Sequence, residues 1–134
     1  WVIKHKGSIF SYWTVLWIWL TALTLIMISS GETLFWAAGP LAGIGMGGVW
    51  VVSRTIIIEL SPPEKIGEFF GIYSLAGKMA SITGPLIWGT VVWALNNTQT
   101  LKYKAAVGSL LLITVITIFL FTIINLIIIL IILK

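Results

Sequence analysis

Residues 69–95 read FFGIYSLAGKMASITGPLIWGTVVWAL, an apolar run whose single charged residue, Lys78, lies near its centre. A helix of about 20 apolar residues crosses the hydrocarbon core of a bilayer, so the run is long enough to span a membrane. A charge at that depth costs roughly 3 kcal/mol or more, and it is usually paired or directed at a wet cavity. The run therefore predicts a transmembrane helix in which Lys78 lies on a transport pathway.

The composition of the whole chain agrees with a membrane location. Hydrophobic residues make up 59% of it and charged residues only 9%, too few to cover a soluble globule with polar groups. Each of four apolar runs is long enough to cross a bilayer. We therefore predict an all-α membrane protein with a single bundle of four transmembrane helices, at about residues 9–28, 34–60, 62–95 and 105–133.

The charges at the helix ends indicate the topology. The net charge of +4 comes from basic residues that are scattered along the chain and not gathered on one face, so no nucleic-acid partner is predicted. If the first loop is cytoplasmic, basic residues are more numerous on the cytoplasmic side, as the positive-inside rule requires. That side would hold Lys4, Lys6, Arg54, Lys65 and Lys134, and the outer side Lys102 and Lys104.

The start of the third helix has its own local signal. Ser61, Pro62, Pro63 and Glu64 form a capping-box pattern. Ser61 is the predicted N-cap, Pro62 the first helical residue, and Glu64 is placed to reach back to the N-cap amide. The pattern predicts that the third helix begins at the cytoplasmic surface directly after Ser61.

Helical spacing predicts one small and polar stripe on the third helix. Its members recur at steps of three or four residues and so share a face: Gly67, Gly71, Ser74, Lys78, Ser81 and Pro85. Lys78, Ser74 and Ser81 are the candidate pathway residues on this stripe. Pro85, preceded by Gly84, removes one backbone hydrogen bond and crowds the carbonyl of Ser81, which predicts a kink beyond Lys78.

A similar stripe runs along the second helix. It consists of Gly39, Gly43, Gly47, Trp50 and Arg54, again at steps of three or four residues. Small residues four apart let another helix backbone approach closely, and helix packing is the favoured interpretation of the three glycines. Trp50 is a further candidate for the pathway. The first and fourth helices are nearly uniform in large apolar residues, so we expect them to face lipid.

Arg54 and Glu68 are candidates for a gate on the cytoplasmic side. Arg54 falls inside the apolar run 49–58, where a guanidinium needs a carboxylate partner or must reach the membrane surface. Glu68 is the nearest carboxylate across the hairpin. Their pair could close the inner side of a pathway, and a purely structural ion pair is an equal alternative.

An enzyme, a metal site and a bound cofactor are not predicted. His5 is the only histidine, cysteine is absent, and Ser53 has no histidine within reach on its helix. Three membrane functions remain: a secondary transporter, a self-contained four-helix oligomeric exporter or channel, and a passive subunit. The first span holds no acidic residue, which counts against the small exporter, and a mid-membrane lysine counts against the passive subunit.

Four ordered segments carry a family resemblance. They are GMGGVWVVSRT at 45–55, ELSP at 59–62, GEFFGIYSLAGK at 67–78 and the Gly84-Pro85 pair. Together they resemble the vacuole-effluxer-like branch of the major facilitator superfamily. Thr55 stands where the family has a serine, Ser61 where it has an isoleucine, and Val49-Trp50 where a glutamine often follows the paired glycines.

The resemblance implies the place of this chain in a larger protein. It implies that the chain supplies the last four helices of a twelve-helix transporter, with the second and third helices lining the cavity and residues 1–6 in a cytoplasmic loop. The partners would be the missing N-terminal helices, the lipid bilayer and a small polar solute, with amino acids as one candidate, moved by alternating access. We expect a multi-pass protein of the plasma membrane, or of the vacuolar membrane if the source is a fungus.

Overall fold

The computed structural model describes residues 5–29, 32–98 and 101–132, and this part of the chain is almost entirely helical. Four long helices follow one another: α1 (Ser8–Ile28), α2 (Glu32–Leu60), α3 (Ile66–Ala94) and α4 (Leu101–Ile132). The prediction of an all-α protein with four long helices is confirmed. Lys4, Lys134, most of the segment 1–6 and the predicted end of the fourth helix at 133 lie outside the described residues.

The four helices differ in how well their length and hydropathy suit them to cross a membrane. Within the described residues, α1, α2 and α4 are each long and apolar enough to cross a membrane. Helix α3 is 29 residues long, but its glycine, hydroxyl and lysine content lowers its hydropathy. Its crossing of the membrane stays a prediction from its length. A helix of this composition is better suited to contact with protein or water than with lipid.

The helices pack as an uneven bundle. Helix α1 packs along most of α2, whereas α4 lies against α1 and α3. Helices α2 and α3, although consecutive, share only a narrow contact. Helix α3 has no buried residue at all in this chain, so its surface is open to whatever surrounds the bundle.

Two glycines of α2 allow α1 to approach closely. A Cβ added to Gly48 would lie 2.7 Å from Val15 Cγ2, and one added to Gly45 would lie 3.0 Å from Trp19 Cε3. The distance at Gly48 is shorter than carbon atoms tolerate, and the one at Gly45 is tighter than most carbon contacts, so the backbone of α2 lies directly against side chains of α1. The residues of α1 that become buried include Ser8, Ser11, Val15, Leu16, Ala22 and Leu23.

The three glycines predicted to pack lie on another face. A Cβ added to Gly39, Gly43 or Gly47 would meet nothing within 4 Å. A step of two residues turns about 200° around a helix, so Gly43 and Gly45 point in opposite directions. The sequence therefore predicted a close glycine-mediated contact on α2, but this contact is made by Gly45 and Gly48. Packing of Gly39, Gly43 and Gly47 stays a prediction that concerns helices outside this chain.

The predicted capping box at the start of the third helix is wrong. Helix α3 begins at Ile66, after a short 3-10 turn at Pro63–Lys65, and no side chain caps either element. The backbone N–H of Ser61 donates to the carbonyl of Ile57, 3.0 Å away, so Ser61 still belongs to the end of α2. Its hydroxyl is buried and has no hydrogen-bond partner among the described residues.

The other helix boundaries differ by small amounts from those predicted. Helix α1 begins one residue earlier, α2 two residues earlier, and α4 four residues earlier, at Leu101. The first turns of α4 thus contain Lys102, whose ammonium lies 5.2 Å from the ring centre of Tyr103. A lysine can stay helical near a membrane surface when its ammonium extends toward water, which explains the longer helix.

The contact between α1 and α2 yields a stability prediction. We expect Gly48→Ala, made in the full-length protein, to lower the apparent melting temperature in detergent, because the added methyl overlaps Val15. Forcing extra volume into a packed contact costs about 1–3 kcal/mol. Gly108→Ala is the matched control, since a Cβ there would lie 3.8 Å from Met27 Cε, an ordinary contact. Adding Val15→Ala should restore stability to Gly48→Ala; equal melting of the Gly48 and Gly108 variants would contradict the close contact.

Candidate functional site

We call the end of the bundle that holds residues 61–65 the inner end. Lys78 lies 12 residues after the first residue of α3 and 16 before its last. At 1.5 Å per residue this is about 18 Å from the inner end of the helix. Lys78 is exposed and pairs with no carboxylate in the part of the chain that the structure describes. Its ammonium therefore lies near the middle of α3 on an open surface.

The stripe predicted on α3 lies on an open side of the helix. Gly71, Ser74, Lys78 and Ser81 are all exposed, and a Cβ added to Gly71 would meet nothing within 4 Å. The hydroxyl of Ser81 donates to the carbonyl of Lys78 at 2.7 Å, which leaves its oxygen free to accept another bond. Such a face needs water or another helix against it.

The second stripe joins Trp50 and Arg54 on α2. The Cζ atom of Arg54 lies 5.5 Å from the centre of the Trp50 ring, and both side chains are exposed. A guanidinium over an indole face gains roughly 0.5–1 kcal/mol at an exposed site. Gly47 lies on the same open face, one turn from Trp50. The structure thus brings together two of the predicted site residues of α2 through a cation–π contact.

Arg54 and Glu68 form no ion pair within residues 5–29, 32–98 and 101–132. Glu68 instead lies exposed in the first turn of α3, where a carboxylate is favoured by the helix dipole. Their pairing as an inner gate stays a prediction, and it would require a conformation in which the guanidinium leaves Trp50.

Helices α2 and α3 each contain an internal proline. Pro85 lies inside α3, which is continuous, and Pro40 occupies a similar place in α2. In the turn before Pro85, the Thr83 hydroxyl donates to the carbonyl of Met79 at 3.1 Å. Proline leaves the carbonyl four residues earlier unbonded, and hydroxyls bound to the preceding turn favour bending. The hinge role of Gly84 and Pro85 stays a prediction.

Two hydrogen bonds between helices were missed by the sequence analysis. Ser53 Oγ of α2 lies 2.9 Å from Tyr73 Oη of α3, and the buried Ser8 of α1 donates its hydroxyl proton to Glu59 of α2. Both lie toward the inner end of the bundle. Serine and tyrosine are common in helices, and only the register between the helices could have identified these pairs.

An aromatic cluster joins the two helices that were expected to face only lipid. The Phe121 ring of α4 lies 4.7 Å from the Tyr12 ring and 5.4 Å from the Trp13 ring of α1, between ring centres. Tilted and edge-to-face aromatic pairs add about 0.5–1.5 kcal/mol beyond their buried area. The outer pair of helices is thus joined to each other near the inner end.

The chemistry offered by the predicted site is recognition of a polar or charged group. It combines the ammonium of Lys78, the hydroxyls of Ser74 and Ser81, and the indole of Trp50, over which the Arg54 guanidinium lies. Among the residues that the structure describes, no group of three His, Asp or Glu side chains could hold a metal ion. A groove of about 590 Å³ lies elsewhere, against Phe10, Trp13 and Trp17 of α1.

Comparison with known protein families gives one match over most of the chain. Residues 5–127 match the family described as "Vacuole effluxer Atg22 like". This range includes α1, α2 and α3, α4 as far as residue 127, and every residue of both stripes. No solved structure matches the chain significantly.

Three curated relatives indicate the range of the family. The chain is 38% identical over 82 residues, 61% of its length, to the "Uncharacterized MFS-type transporter YxiO" of Bacillus subtilis, of which it covers 18%. It is 36% identical over 62 residues, 46% of its length, to "Autophagy-related protein 22" of Eremothecium gossypii, of which it covers 12%. It is 29% identical over 107 residues, 69% of its length, to the "MFS-type efflux pump elcC" of Phaeosphaeria nodorum, of which it covers 18%. The chain thus spans less than a fifth of these relatives.

The inner-gate hypothesis is tested by exchanging charges in the full-length protein. We expect Arg54→Glu or Glu68→Arg alone to reduce solute flux, and the double exchange to recover part of the loss, because attraction depends on the signs of the charges. Flux into or out of membrane vesicles is the measurement. Glu64→Arg, on the neighbouring turn, is the control and should not rescue Arg54→Glu. Purely additive losses would rule out direct pairing.

Proposed function

The chain belongs to the vacuole effluxer Atg22-like family, and we propose that it forms part of a secondary transporter that moves a small polar solute by alternating access. It is a segment of a multi-pass integral membrane protein and forms part of a major facilitator fold. The relatives named above include a transporter and an efflux pump, which supports transport as the general activity. The solute and the mechanism are our proposal.

One observation carries the proposal most directly. Lys78 lies near the middle of α3, which we infer crosses the membrane, and it is exposed and without a carboxylate partner in the described residues. An ammonium at that depth is retained where it contacts water, a partner charge or a ligand. Helix α3 buries no residue within this chain, so the upstream helices of the same transporter would enclose its open face and form the cavity.

We assign the residues of the two stripes to distinct roles. Lys78 binds an anionic group of the solute, such as a carboxylate, or balances the charge at a coupling-proton site. Ser74 and Ser81 supply hydroxyls one turn away on either side of it, and Trp50 supplies an aromatic surface on α2. Amino acids are one candidate class of solute, because they carry a carboxylate and are small and polar.

The remaining candidates would serve the conformational change. Arg54 and Glu68 would close the inner side of the pathway, and Gly84 with Pro85 would let α3 bend. Gly39, Gly43, Gly47 and Gly71 would give the upstream helices close access to α2 and α3. In alternating access one half of such a transporter moves as a unit against the other around a fixed site, so smooth and open faces are needed at the boundary.

The role of Lys78 is tested by substitution in the full-length transporter. We expect Lys78→Ala to reduce solute flux by more than about tenfold, because a hydrogen bond to a charged group contributes roughly 1.5–3 kcal/mol. Lys78→Arg should retain part of the activity, since it keeps the charge with a different geometry. Flux is measured across a panel of amino acids and other small anions.

Membrane abundance separates this role from a folding defect. Lys102→Ala is the matched control, because Lys102 lies at the start of α4 over Tyr103 and away from either stripe. Both alanine variants should reach the membrane in normal amounts. Unchanged flux kinetics in Lys78→Ala would refute the pathway role of this residue.

A further inference from the structure

Ser53 and Tyr73, which we call the hydroxyl pair, connect the two helices that carry the pathway candidates. Helices α2 and α3 share only a narrow contact. Across it, Ser53 Oγ and Tyr73 Oη lie 2.9 Å apart. Among the described residues this is the one hydrogen bond that joins α2 to α3. Apart from the connecting residues 61–65, this bond is therefore the polar link between the two helices in the described residues.

The direction of the bond follows from the neighbours of Ser53. Its Oγ lies 2.6 Å from the carbonyl oxygen of Val49, which can only accept. A serine hydroxyl has one proton and two lone pairs, so that proton goes to Val49 and Ser53 accepts from Tyr73. Tyr73 is therefore the donor in the hydroxyl pair. Removing its hydroxyl breaks the link between the helices and leaves Ser53 bonded within α2.

Tyr73 is held in place by its own helix. The Phe70 ring, one turn earlier on α3, lies 6.4 Å from the Tyr73 ring at an interplanar angle of 87°. This edge-to-face arrangement limits the orientations of the phenol. Both members of the hydroxyl pair are half-buried, whereas the neighbouring pathway residues are exposed. The bond is thus shielded in part from competing water.

The hydroxyl pair lies at the border of both stripes. Ser53 directly precedes Arg54, and Tyr73 directly precedes Ser74. Tyr73 lies five residues before Lys78, or about 7.5 Å closer to the inner end. A bond at this point fixes the distance between the open face of α2 and that of α3, below the level of Lys78.

We propose that Ser53 and Tyr73 are positioning residues of the transport pathway, whose hydrogen bond keeps the inner ends of α2 and α3 together and so narrows access from the inner side. The proposal rests on the transport function proposed above. Neither residue needs to touch the solute. Breaking the bond shifts the population toward conformations that are open at the inner end.

Accessibility of a single cysteine measures this shift. The chain contains no cysteine, so Ser74→Cys in a cysteine-free full-length transporter provides one reporter beside the hydroxyl pair. A membrane-impermeant maleimide is added from the side of the inner end, and its labelling rate is recorded for Ser53→Ala, Tyr73→Phe and the double variant. Interhelical hydrogen bonds in membrane proteins average about 0.6 kcal/mol, so labelling should become about threefold faster.

Non-additivity is the decisive part of the result. Because either substitution breaks the same bond, the double variant should label no faster than the single ones. Tyr103→Phe and Ser109→Ala are the matched controls. Tyr103 lies at the start of α4, and the Ser109 hydroxyl donates to the carbonyl of Ala106 within its own helix. Neither control should change the labelling rate.

A second pair of variants, with threonine or valine at position 53, has nearly equal side-chain volumes and differs by one hydroxyl. Ser53→Thr keeps an acceptor for Tyr73 and should label like the parent, whereas Ser53→Val should label like Tyr73→Phe. An unchanged rate in Tyr73→Phe and Ser53→Val, or additive effects in the double variant, overturns the proposal. Labelling needs no solute, so a cysteine-free transporter with Ser74 intact that transports nothing would refute the proposed function, while the role of the hydroxyl pair is still decided by the labelling rates.

Discussion

The absence of side chains at Gly45 and Gly48 fixes the arrangement of the bundle. Val15 and Trp19 of α1 lie against the bare backbone of α2 at these positions: a Cβ at Gly48 would overlap Val15, and one at Gly45 would press tightly against Trp19. This contact determines the rotation of α2 about its axis. Once Gly45 and Gly48 face α1, the residues on the other side of α2, including Trp50 and Arg54, must face away from the bundle. The open face of α2 is therefore a consequence of where its packing glycines lie.

Helix α3 follows the opposite pattern, since it buries nothing within this chain. Its stripe of small and polar residues makes it the helix least suited to contact with lipid. Among these residues, Lys78 has the largest free-energy cost in lipid. The packing face of α2 is complete, whereas α3 has both an open stripe and a narrow contact with its neighbour. One side of the chain is therefore packed within the bundle, and the other side must contact further protein or water.

Much of this was predictable from the sequence, for identifiable reasons. Runs of apolar residues predicted four helices to within a few residues, because the hydrocarbon core sets their length. Steps of three and four predicted which residues of α3 share a face. The sequence did not distinguish the packing glycines from the open ones, because Gly43 and Gly45 both have small neighbours at helical spacing. Their roles depend on the register between α1 and α2, which places Val15 opposite Gly48.

The capping box at Ser61 failed for a similar reason. Ser61 matched a capping box, but its backbone remained bonded to α2, and a local pattern carries no information on which helix retains a residue. Arg54, whose pairing with Glu68 stays a prediction, lies over Trp50, one turn away on its own helix. The bond between Ser53 and Tyr73 was not predicted, because no local pattern marks either residue. It joins two unremarkable residues that become neighbours only when the helices are aligned.

The two internal prolines have a geometric consequence. Pro40 lies eight residues from the first residue of α2, and Pro85 lies nine from the last residue of α3, so in these antiparallel helices both occupy nearly the same depth. Each leaves the carbonyl four residues earlier, of Trp36 and of Ser81, without its helical N–H. Both helices thus lack one backbone hydrogen bond at the same level, whereas the hydroxyl pair joins them at a level nearer the inner end. A bend at this common level would tilt the outer segments of both helices together, while the hydroxyl pair, nearer the inner end, stays in place.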